Sequence, residues 1–209
     1  MSGPEPIVYV VEDDELVRKL IIALVKAVGL ECEPCANAEE FLDNFDMNRT
    51  GCLVLDIFMP GMSGLELQNE LNRRGAVIPV IFVTGNNHVP DVVAAMRQGA
   101  FNYLLKPFAD IELLTNVRRA LAYDRQNRQT LAQMDRIRER IASLTPRERE
   151  VLELLARGCA NKTMAHEMRL SERTVELHRS RVMEKMGADS VAQLVRMFMD
   201  FEQRAGHSH

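Results

Sequence analysis

The segment CLVLDIFMPGMSG, residues 52 to 64, decides the fold of the first half of the chain. Its first four residues are apolar, which predicts a buried strand, and the strand ends on the carboxylate of Asp56 before the chain turns at Pro60 and Gly61. A charge at the end of a buried strand is costly to desolvate, and the turn that follows would leave it open to a ligand. The segment therefore predicts a functional carboxylate, held rigidly at one edge of a sheet.

Short apolar runs like this one alternate with longer amphipathic stretches along the first 120 residues. The runs are IVYVV (7–11), LECEPC (30–35), CLVLD (52–56), PVIFVTG (79–85) and FNYLLK (101–106). Five β/α units predict an α/β fold, a doubly wound five-stranded parallel sheet with helices on both faces. Polar residues at the carboxyl ends of such strands converge on one crevice. The residues expected there are Glu12, Asp13, Asp56, Thr84 and Lys106.

The chemistry expected in this crevice is phosphoryl transfer. Three carboxylates would repel one another unless a cation held them, and a small set of hard oxygen ligands favours Mg²⁺. Lys106 would neutralise a phosphoryl oxygen, and Thr84 would donate a hydrogen bond to one. Beside Mg²⁺, the carboxylate of Asp56 would act as a nucleophile and accept a phosphoryl group as an acyl phosphate.

The two halves of the chain differ in charge. Residues 1–124 contain ten Lys and Arg against eighteen Asp and Glu, whereas residues 125–209 contain sixteen against twelve. An acidic module is thus followed by a basic one, and a basic module suggests a polyanion as its partner.

A polar stretch, residues 123–143, connects the two halves. Its apolar residues recur at spacings of three and four: Leu131, Met134, Ile137 and Ile141. This spacing predicts an amphipathic helical linker and not a flexible coil. The linker would either pair with its own copy in a dimer or pack on its own domain.

The basic half predicts a four-helix domain. Its first helix has a strong start signal, with Thr145 as N-cap, Pro146 in the first helical position and Glu148 three residues after the cap. Three more helices are expected at about 161–168, 172–186 and 190–202. The second and third form a helix-turn-helix, in which the helix that follows Ser171 would enter the major groove of DNA.

Candidate DNA contacts lie on that helix and just before it. Acceptor, apolar and guanidinium side chains suit base edges, and other polar or basic residues suit phosphates. The candidates for base edges are Glu176, Leu177, Ser180 and Arg181. The candidates for phosphates are Lys162, Arg173, Thr174, Arg179 and Lys185.

The motifs VVEDDE, CLVLDIFMPGMSG, VIFVTG and YLLKPF, in this order, resemble the flavodoxin-like receiver domain of two-component response regulators. The resemblance covers about residues 5–122 and implies that Asp56 is the phosphoacceptor. It implies Mg²⁺ ligands at Asp13, Asp56, Glu12 and the backbone carbonyl of Phe58. It also implies phosphoryl binding by Lys106, before a cis bond to Pro107, and a switch formed by Thr84 and Tyr103.

The second half contains LTPREREVL, GCANK with AHEM, and TVELHRSRVMEKMG, and it resembles a LuxR-type DNA-binding domain. The whole chain is therefore identified as a member of the NarL/FixJ family of transcriptional regulators. The resemblance implies a receiver domain (1–122), a helical linker (123–143) and a DNA-binding domain (144–209). It implies a sensor histidine kinase as phosphodonor, with promoter DNA and RNA polymerase as further partners. It also implies that the protein forms a homodimer on phosphorylation and is not a turnover enzyme.

Three rival functions compete with this interpretation. Haloacid-dehalogenase-like phosphatases use a related aspartyl phosphate, but they need a second acid where Phe58 stands. Cys32 and Cys35 would form a redox or metal sensor, or else be two half-buried strand residues. The third rival keeps DNA binding but makes the receiver independent of phosphorylation, which the intact acidic set disfavours.

Two histidines each have two possible interpretations. His88 is either a catalytic base or an exposed residue at a helix start, and His178 is either a metal ligand or a structural residue between helices. No apolar stretch approaches the roughly 20 residues of a membrane span, and the start MSGPEPIVYVV lacks the features of a signal peptide. We therefore expect a cytoplasmic protein without a membrane partner.

Overall fold

The structure is a computed structural model that describes residues 5–85 and 89–205. The elements of the first half are β1 (Ile7–Val11), α1 (Glu15–Ala27), β2 (Glu31–Cys35), α2 (Ala38–Asn44), β3 (Gly51–Asp56), α3 (Gly64–Arg73), β4 (Val80–Thr84), α4 (Val89–Arg97) and β5 (Asn102–Leu105). They are followed by α5 (Asp110–Ala142), α6 (Pro146–Ala156), α7 (Asn161–Met168), α8 (Glu172–Met186) and α9 (Val191–Ala205). The chain forms two compact units, one up to Arg128 and the other from Gln129.

The first unit is built on one parallel sheet. Its five strands in the described part of the chain run in the order β2-β1-β3-β4-β5, and every neighbouring pair is parallel. Strands β1, β3 and β4 are buried along their whole length because helices cover both faces of the sheet. The predicted fold class is confirmed, and the strands begin and end within about one residue of the expected runs.

The apolar core of this unit lies in two layers, one on each face of the sheet. Tyr9, Phe41 and Phe82 belong to the layer on one face. Val8 and Ile21 belong to the layer on the other face, where α5 contributes Leu113, Val117, Ala120 and Leu121. Alternate residues of each strand face opposite layers, and this alternation fixes which polar residues reach the same side of the sheet edge.

Polar side chains cap the starts of α2 and α3. Ser63 and Glu66 form the complete capping box at the start of α3. Asn37 and Glu40 also have the spacing of a capping box. The Asn37 side chain caps α2, but the Glu40 carboxylate accepts a hydrogen bond from the backbone N–H of Ala36, at 2.6 Å, and not from that of Asn37. The Glu40 carboxylate therefore binds the N–H one residue before the N-cap.

The predicted linker is part of one continuous helix, α5. Its later turns bury Ile137 and Ile141 in the core of the second unit, and Met134 packs against the same core. Leu131 is exposed. These contacts are those of the alternative in which the linker packs on a domain of its own chain.

The second unit consists, in its described part, of the end of α5 and helices α6 to α9 around a separate apolar core. Thr145 and Glu148 form the expected capping box of α6, and Ser171 caps α8. The turn between α7 and α8 passes through Arg169, which has a left-handed backbone with φ 57°. No helix in the described ranges is both long and apolar enough to cross a membrane.

Candidate functional site

Three carboxylates meet at the carboxyl edge of the sheet. Glu12 and Asp13 follow β1, and Asp56 ends the adjacent strand β3. One oxygen of each lies within 4.8 Å of the others. Glu12 and Asp56 are buried, whereas Asp13 is exposed. The structure thus brings together the three acids that the sequence placed in one crevice.

Lys106 is the cation inside this group. Its Nζ donates to Oε2 of Glu12 at 2.6 Å and to Oδ2 of Asp56 at 2.7 Å. Burial alone would lower the pKa of Lys106, but the hydrogen bonds and charges of the two carboxylates outweigh it and raise this pKa. The amine of Lys106 therefore stays charged. The Lys106–Pro107 peptide bond is cis, as the resemblance implies.

The charged form of Glu12 is destabilised despite its contact with Lys106. Burial raises its pKa to about 7, the hydrogen bond from Lys106 opposes that rise, and the negative charge of Asp56 adds to it. Its second oxygen, Oε1, is buried and accepts no hydrogen bond from any described residue. A buried carboxylate oxygen without a donor beside two more carboxylates is an arrangement that a hard divalent cation fits.

The turn after β3 fixes Asp56. The backbone N–H of Phe58 donates to Oδ1 of Asp56 at 3.1 Å, and the N–H of Gly64 donates to the carbonyl of Ile57 at 2.9 Å. Gly64 lies so close that a Cβ there would be 2.1 Å from the carbonyl oxygen of Asp56. Only glycine permits this approach, so the start of α3 closes directly behind the acid. The side chain of Phe58 is about half exposed.

Thr84 and Tyr103 occupy the neighbouring strands. Thr84 is fully buried at the end of β4, one residue beyond Val83, which pairs with Asp56. Tyr103 lies on β5 and pairs with Phe82 of β4. It is half-buried and packs against the core layer that contains Phe82. Because Thr84 has the same parity along β4 as Phe82, it faces the same side of the sheet as Tyr103. Asn86, Asn87 and His88 lie outside the described residues, and so do the two interpretations of His88.

The sequence did not identify Arg18, which lies behind the acids on α1. Its Nη1 donates to the backbone carbonyl of Glu12 at 2.6 Å and to that of Asp13 at 3.2 Å. The signal was present as an Arg one turn after the N-cap Asp14, but only the tertiary geometry shows that its side chain turns back over the strand end.

Cys32 and Cys35 lie on opposite faces of β2. Cys32 packs against the layer that contains Val8, and Cys35 belongs to the layer that contains Tyr9. Burial raises the pKa of the Cys32 thiol to about 11 and that of Cys35 to about 12. Two thiols that point apart cannot share a metal ion, and reactive thiols need a lowered pKa. The geometry favours the reading of two structural strand residues.

The second unit presents polar groups along α7 and α8. The predicted DNA contacts that are exposed are Lys162, Arg173, Glu176, Leu177, Ser180, Arg181 and Lys185. Thr174 is half-buried, and its hydroxyl hydrogen-bonds that of the N-cap Ser171 at 2.8 Å. Arg179 is half-buried and donates to the side-chain oxygen of Asn161. Asn161 in turn lies 3.5 Å from a carboxylate oxygen of Glu176.

Lys185 has a partner within the domain. Its Nζ donates to Oε2 of Glu148 at 2.7 Å and to the carbonyl of Ser143 at 3.1 Å. The hydrogen bond from Lys185 and the N–H of Thr145 lower the pKa of the Glu148 carboxyl to about 2. The capping acid of α6 therefore also binds α8, a contact that the helix-start signal did not predict.

His178 lies half-buried on α8. Its Nδ1 is buried and has no hydrogen-bond partner among the described residues. In the described ranges, the group of side chains able to hold a metal ion is Glu12, Asp13 and Asp56. The geometry accordingly agrees with a structural role for His178.

A receiver is the class of domain that this sheet and acid crevice define, and a helix-turn-helix domain follows it. The family model "Response regulator receiver domain" matches residues 8–118, and "Bacterial regulatory proteins, luxR family" matches residues 142–198. The chain belongs to the response regulators with a LuxR-type output domain.

Relatives of known class match almost the whole chain. It is 42% identical over 207 residues to Nodulation protein W of Bradyrhizobium diazoefficiens, covering 99% of this chain and 91% of that protein. It is 46% identical to the transcriptional regulatory protein FixJ of Azorhizobium caulinodans, covering 91% and 90%. The solved structure of the response regulator StyR has a TM-score of 0.85 at 38% identity, covering 94% and 100%. The protein is a two-component response regulator that controls transcription.

Proposed function

We propose that Asp56 accepts a phosphoryl group in a Mg²⁺-dependent reaction and that this modification controls DNA binding by residues 144–209. The observation that supports this most strongly is the trio of acids within 4.8 Å, next to an ammonium that touches two of them. Residues 1–122 would be the receiver and 123–143 the link to the output domain. The donor would be a sensor histidine kinase.

The residues of the crevice divide the work of the transfer. The carboxylate of Asp56 forms a new O–P bond while the P–N bond of a phosphohistidine breaks, and the leaving nitrogen keeps the electron pair. The Phe58 N–H holds one carboxylate oxygen in place, and Lys106 neutralises charge on the transferred group. Bound Mg²⁺ would supply positive charge to the phosphoryl oxygens. Its ligands would be Glu12, Asp13, Asp56 and the Phe58 carbonyl.

The signal would leave the crevice through β4 and β5. Thr84 donates its hydroxyl to the new phosphoryl group, and Tyr103 turns into the space that this movement opens on the same face of the sheet. The surface of α4 and β5 then changes shape. This change pairs two receivers into a homodimer.

Dimerisation is a natural control because one helix-turn-helix domain reads few bases. Two domains on adjacent half-sites gain affinity through effective concentration and reach about 10⁻⁸ M or tighter. Base edges are read by Glu176, Leu177, Ser180 and Arg181, and phosphates by Lys162, Arg173, Thr174, Arg179 and Lys185. The bound dimer would act on RNA polymerase in the cytoplasm. The protein takes up its phosphoryl group stoichiometrically and is no turnover enzyme.

The test compares the wild type with Asp56→Asn, and with Asp43→Asn as a control in which an exposed acid on α2 is changed. Each is incubated with Mg²⁺ and acetyl phosphate, and intact mass and sedimentation are recorded. We expect one phosphoryl group and a shift toward dimer in the wild type and in Asp43→Asn, and neither in Asp56→Asn. A phosphorylated Asp56→Asn, or a wild type that takes up no phosphate beside an active control regulator, would contradict the proposal.

A further inference from the structure

The turn between β1 and α1 contains three successive acids with three different surroundings. Glu12 is buried and binds Lys106, while Asp14 caps α1 by accepting hydrogen bonds from the N–H groups of Leu16 and Val17. Asp13 is exposed, and the described hydrogen bond from Arg18 to this residue is accepted by its backbone carbonyl and not by its carboxylate. The direction of the Asp13 carboxylate therefore depends on the backbone to which it is attached.

Arg18 is the side chain that holds this backbone. Its guanidinium donates to the carbonyl oxygens of Glu12 at 2.6 Å and of Asp13 at 3.2 Å, and the residue is half-buried. A single rigid, planar group thus ties two successive peptide units to the first turns of α1. The described contacts of Arg18 are to carbonyls and not to carboxylates, so it leaves the acidic oxygens available for a cation.

We propose that Arg18 is a positioning residue for the metal site: it fixes the backbone of Glu12 and Asp13 so that the Asp13 carboxylate meets a divalent cation together with Asp56. This inference rests on the proposed function, because it presupposes that the crevice binds Mg²⁺. Side chains that orient metal ligands from behind commonly change metal affinity by about tenfold or more when they are removed.

The charge of Arg18 and its positioning role have opposite effects on Mg²⁺ affinity. A guanidinium close to a cation site repels the cation, so removal of its charge alone would tighten Mg²⁺ binding. Loss of the support for Asp13 would weaken it. The sign of the change in affinity therefore separates the two effects, and a lysine at position 18 separates them again because it keeps the charge but not the planar fork.

The experiment measures Mg²⁺ affinity of the unphosphorylated full chain by calorimetry for the wild type, Arg18→Met and Arg18→Lys. Lys19→Met is the matched control, since Lys19 is the exposed neighbour on α1 and pairs with Glu15. We expect about tenfold weaker binding in Arg18→Met, and at least as large a weakening in Arg18→Lys, which keeps the repulsive charge but loses the planar fork. We expect a change of less than about twofold in Lys19→Met, whose charge is screened by solvent. The rate of phosphorylation by acetyl phosphate should fall in Arg18→Met at limiting Mg²⁺ and recover at saturating Mg²⁺.

Other outcomes overturn the inference. Tighter Mg²⁺ binding in Arg18→Met would show that charge dominates, and unchanged affinity in both Arg18 variants with a lower Tm would show a purely structural role. In those cases a wild type that binds Mg²⁺ and is phosphorylated leaves the proposed function intact. A wild type that binds no Mg²⁺ would remove both.

Discussion

The two units of the protein each contain a lysine bonded to a glutamate that is almost inaccessible to solvent, with opposite electrostatic results. In the first unit Lys106 lies 2.6 Å from Glu12, whose pKa is raised to about 7. In the second Lys185 lies 2.7 Å from Glu148, whose pKa is lowered to about 2. The same pair of residue types thus stabilises the charged acid in one place and fails to do so in the other.

The difference lies in what else surrounds each acid. Glu12 shares its lysine with Asp56 and has one buried oxygen without a donor in the described structure. Glu148 receives its lysine together with the N–H of Thr145 at the start of α6, and the described hydrogen bonds of Lys185 go to Glu148 and the Ser143 carbonyl and not to a second acid. The hydrogen-bonded Glu148 carboxylate holds α6 and α8 together. The Glu12 carboxylate lacks a donor at one oxygen among the described residues, so a bound cation and a phosphoryl group can complete the interactions of its crevice.

The largest effect is expected from the lysine of the first pair. Lys106→Met should slow phosphorylation by acetyl phosphate on the order of tenfold to a hundredfold, because it removes the cation that neutralises the transferred group. Lys185→Met should leave this rate unchanged. Single-turnover rates measured by intact mass compare the two variants, and an equal rate in wild type and Lys106→Met would refute the role assigned to Lys106.

A smaller effect, on stability, is expected from the acid of the second pair. Glu148→Gln weakens the cap of α6 and the bond to α8, which should cost the second unit about 2 kcal/mol. Hydrogen exchange of the full chain should show faster exchange in α6 and α8 and no change in the sheet. Glu150→Gln is the control, because the ion pair of Glu150 with Arg147 is exposed to solvent. Equal protection in Glu148→Gln and Glu150→Gln would show that the pair is not a structural link.

The pH dependence of the two units should have opposite signs. The folded pKa of Glu148 is about 2, below the usual 4.5, so its contribution is present above pH 4.5 and is lost as the pH falls toward 2. The folded pKa of Glu12 is about 7, so without metal the folded first unit binds more protons than the unfolded chain between pH 4.5 and 7. The first unit should therefore lose stability as the pH rises through that window.

Thermal unfolding in EDTA across this pH range measures both slopes. Glu12→Gln should flatten the slope between pH 4.5 and 7, and Glu148→Gln should flatten the slope at lower pH. If Glu12→Gln kept the wild-type slope, the contrast between the two glutamates would be lost.

The smallest effect is expected at Cys32 and Cys35 of β2, where burial raises the pKa of each thiol and the two side chains face opposite core layers. DNA affinity of the wild type should change by less than about twofold between reducing and mildly oxidising buffer, since the thiols stay protonated. Cys32→Ala should behave in the same way. A redox-dependent affinity that disappears in Cys32→Ala would revive the sensor reading.

The sequence predicted those parts of the molecule that follow from local periodicity. Alternating apolar runs gave the sheet, and the position of Glu12, Asp56 and Lys106 at run ends gave their convergence, because parallel strands end at one edge. Helix-start signals located α6 and α8 for the same local reason.

Contacts of long side chains across the fold were not predictable in this way. Periodicity places Lys185 on an outer face, but Glu148 lies 37 residues away in sequence and only tertiary packing joins them. Arg18 reads as a surface residue of α1, yet its guanidinium returns to the carbonyls that precede the helix. The rotamer of a long Lys or Arg side chain depends on tertiary neighbours that the local sequence pattern does not identify.

The central claim is that phosphorylation of Asp56 controls binding to DNA. The most direct measurement is the affinity of the full chain for a duplex selected from random sequences by the phosphorylated protein. It is made for the wild type and Asp56→Asn, with and without acetyl phosphate and Mg²⁺, at one fixed salt concentration. We expect the phosphodonor to tighten binding at least about tenfold in the wild type, through dimerisation, and to leave the affinity of Asp56→Asn unchanged. Equal affinity of both proteins in every condition would contradict this claim and would favour a receiver that acts without phosphorylation.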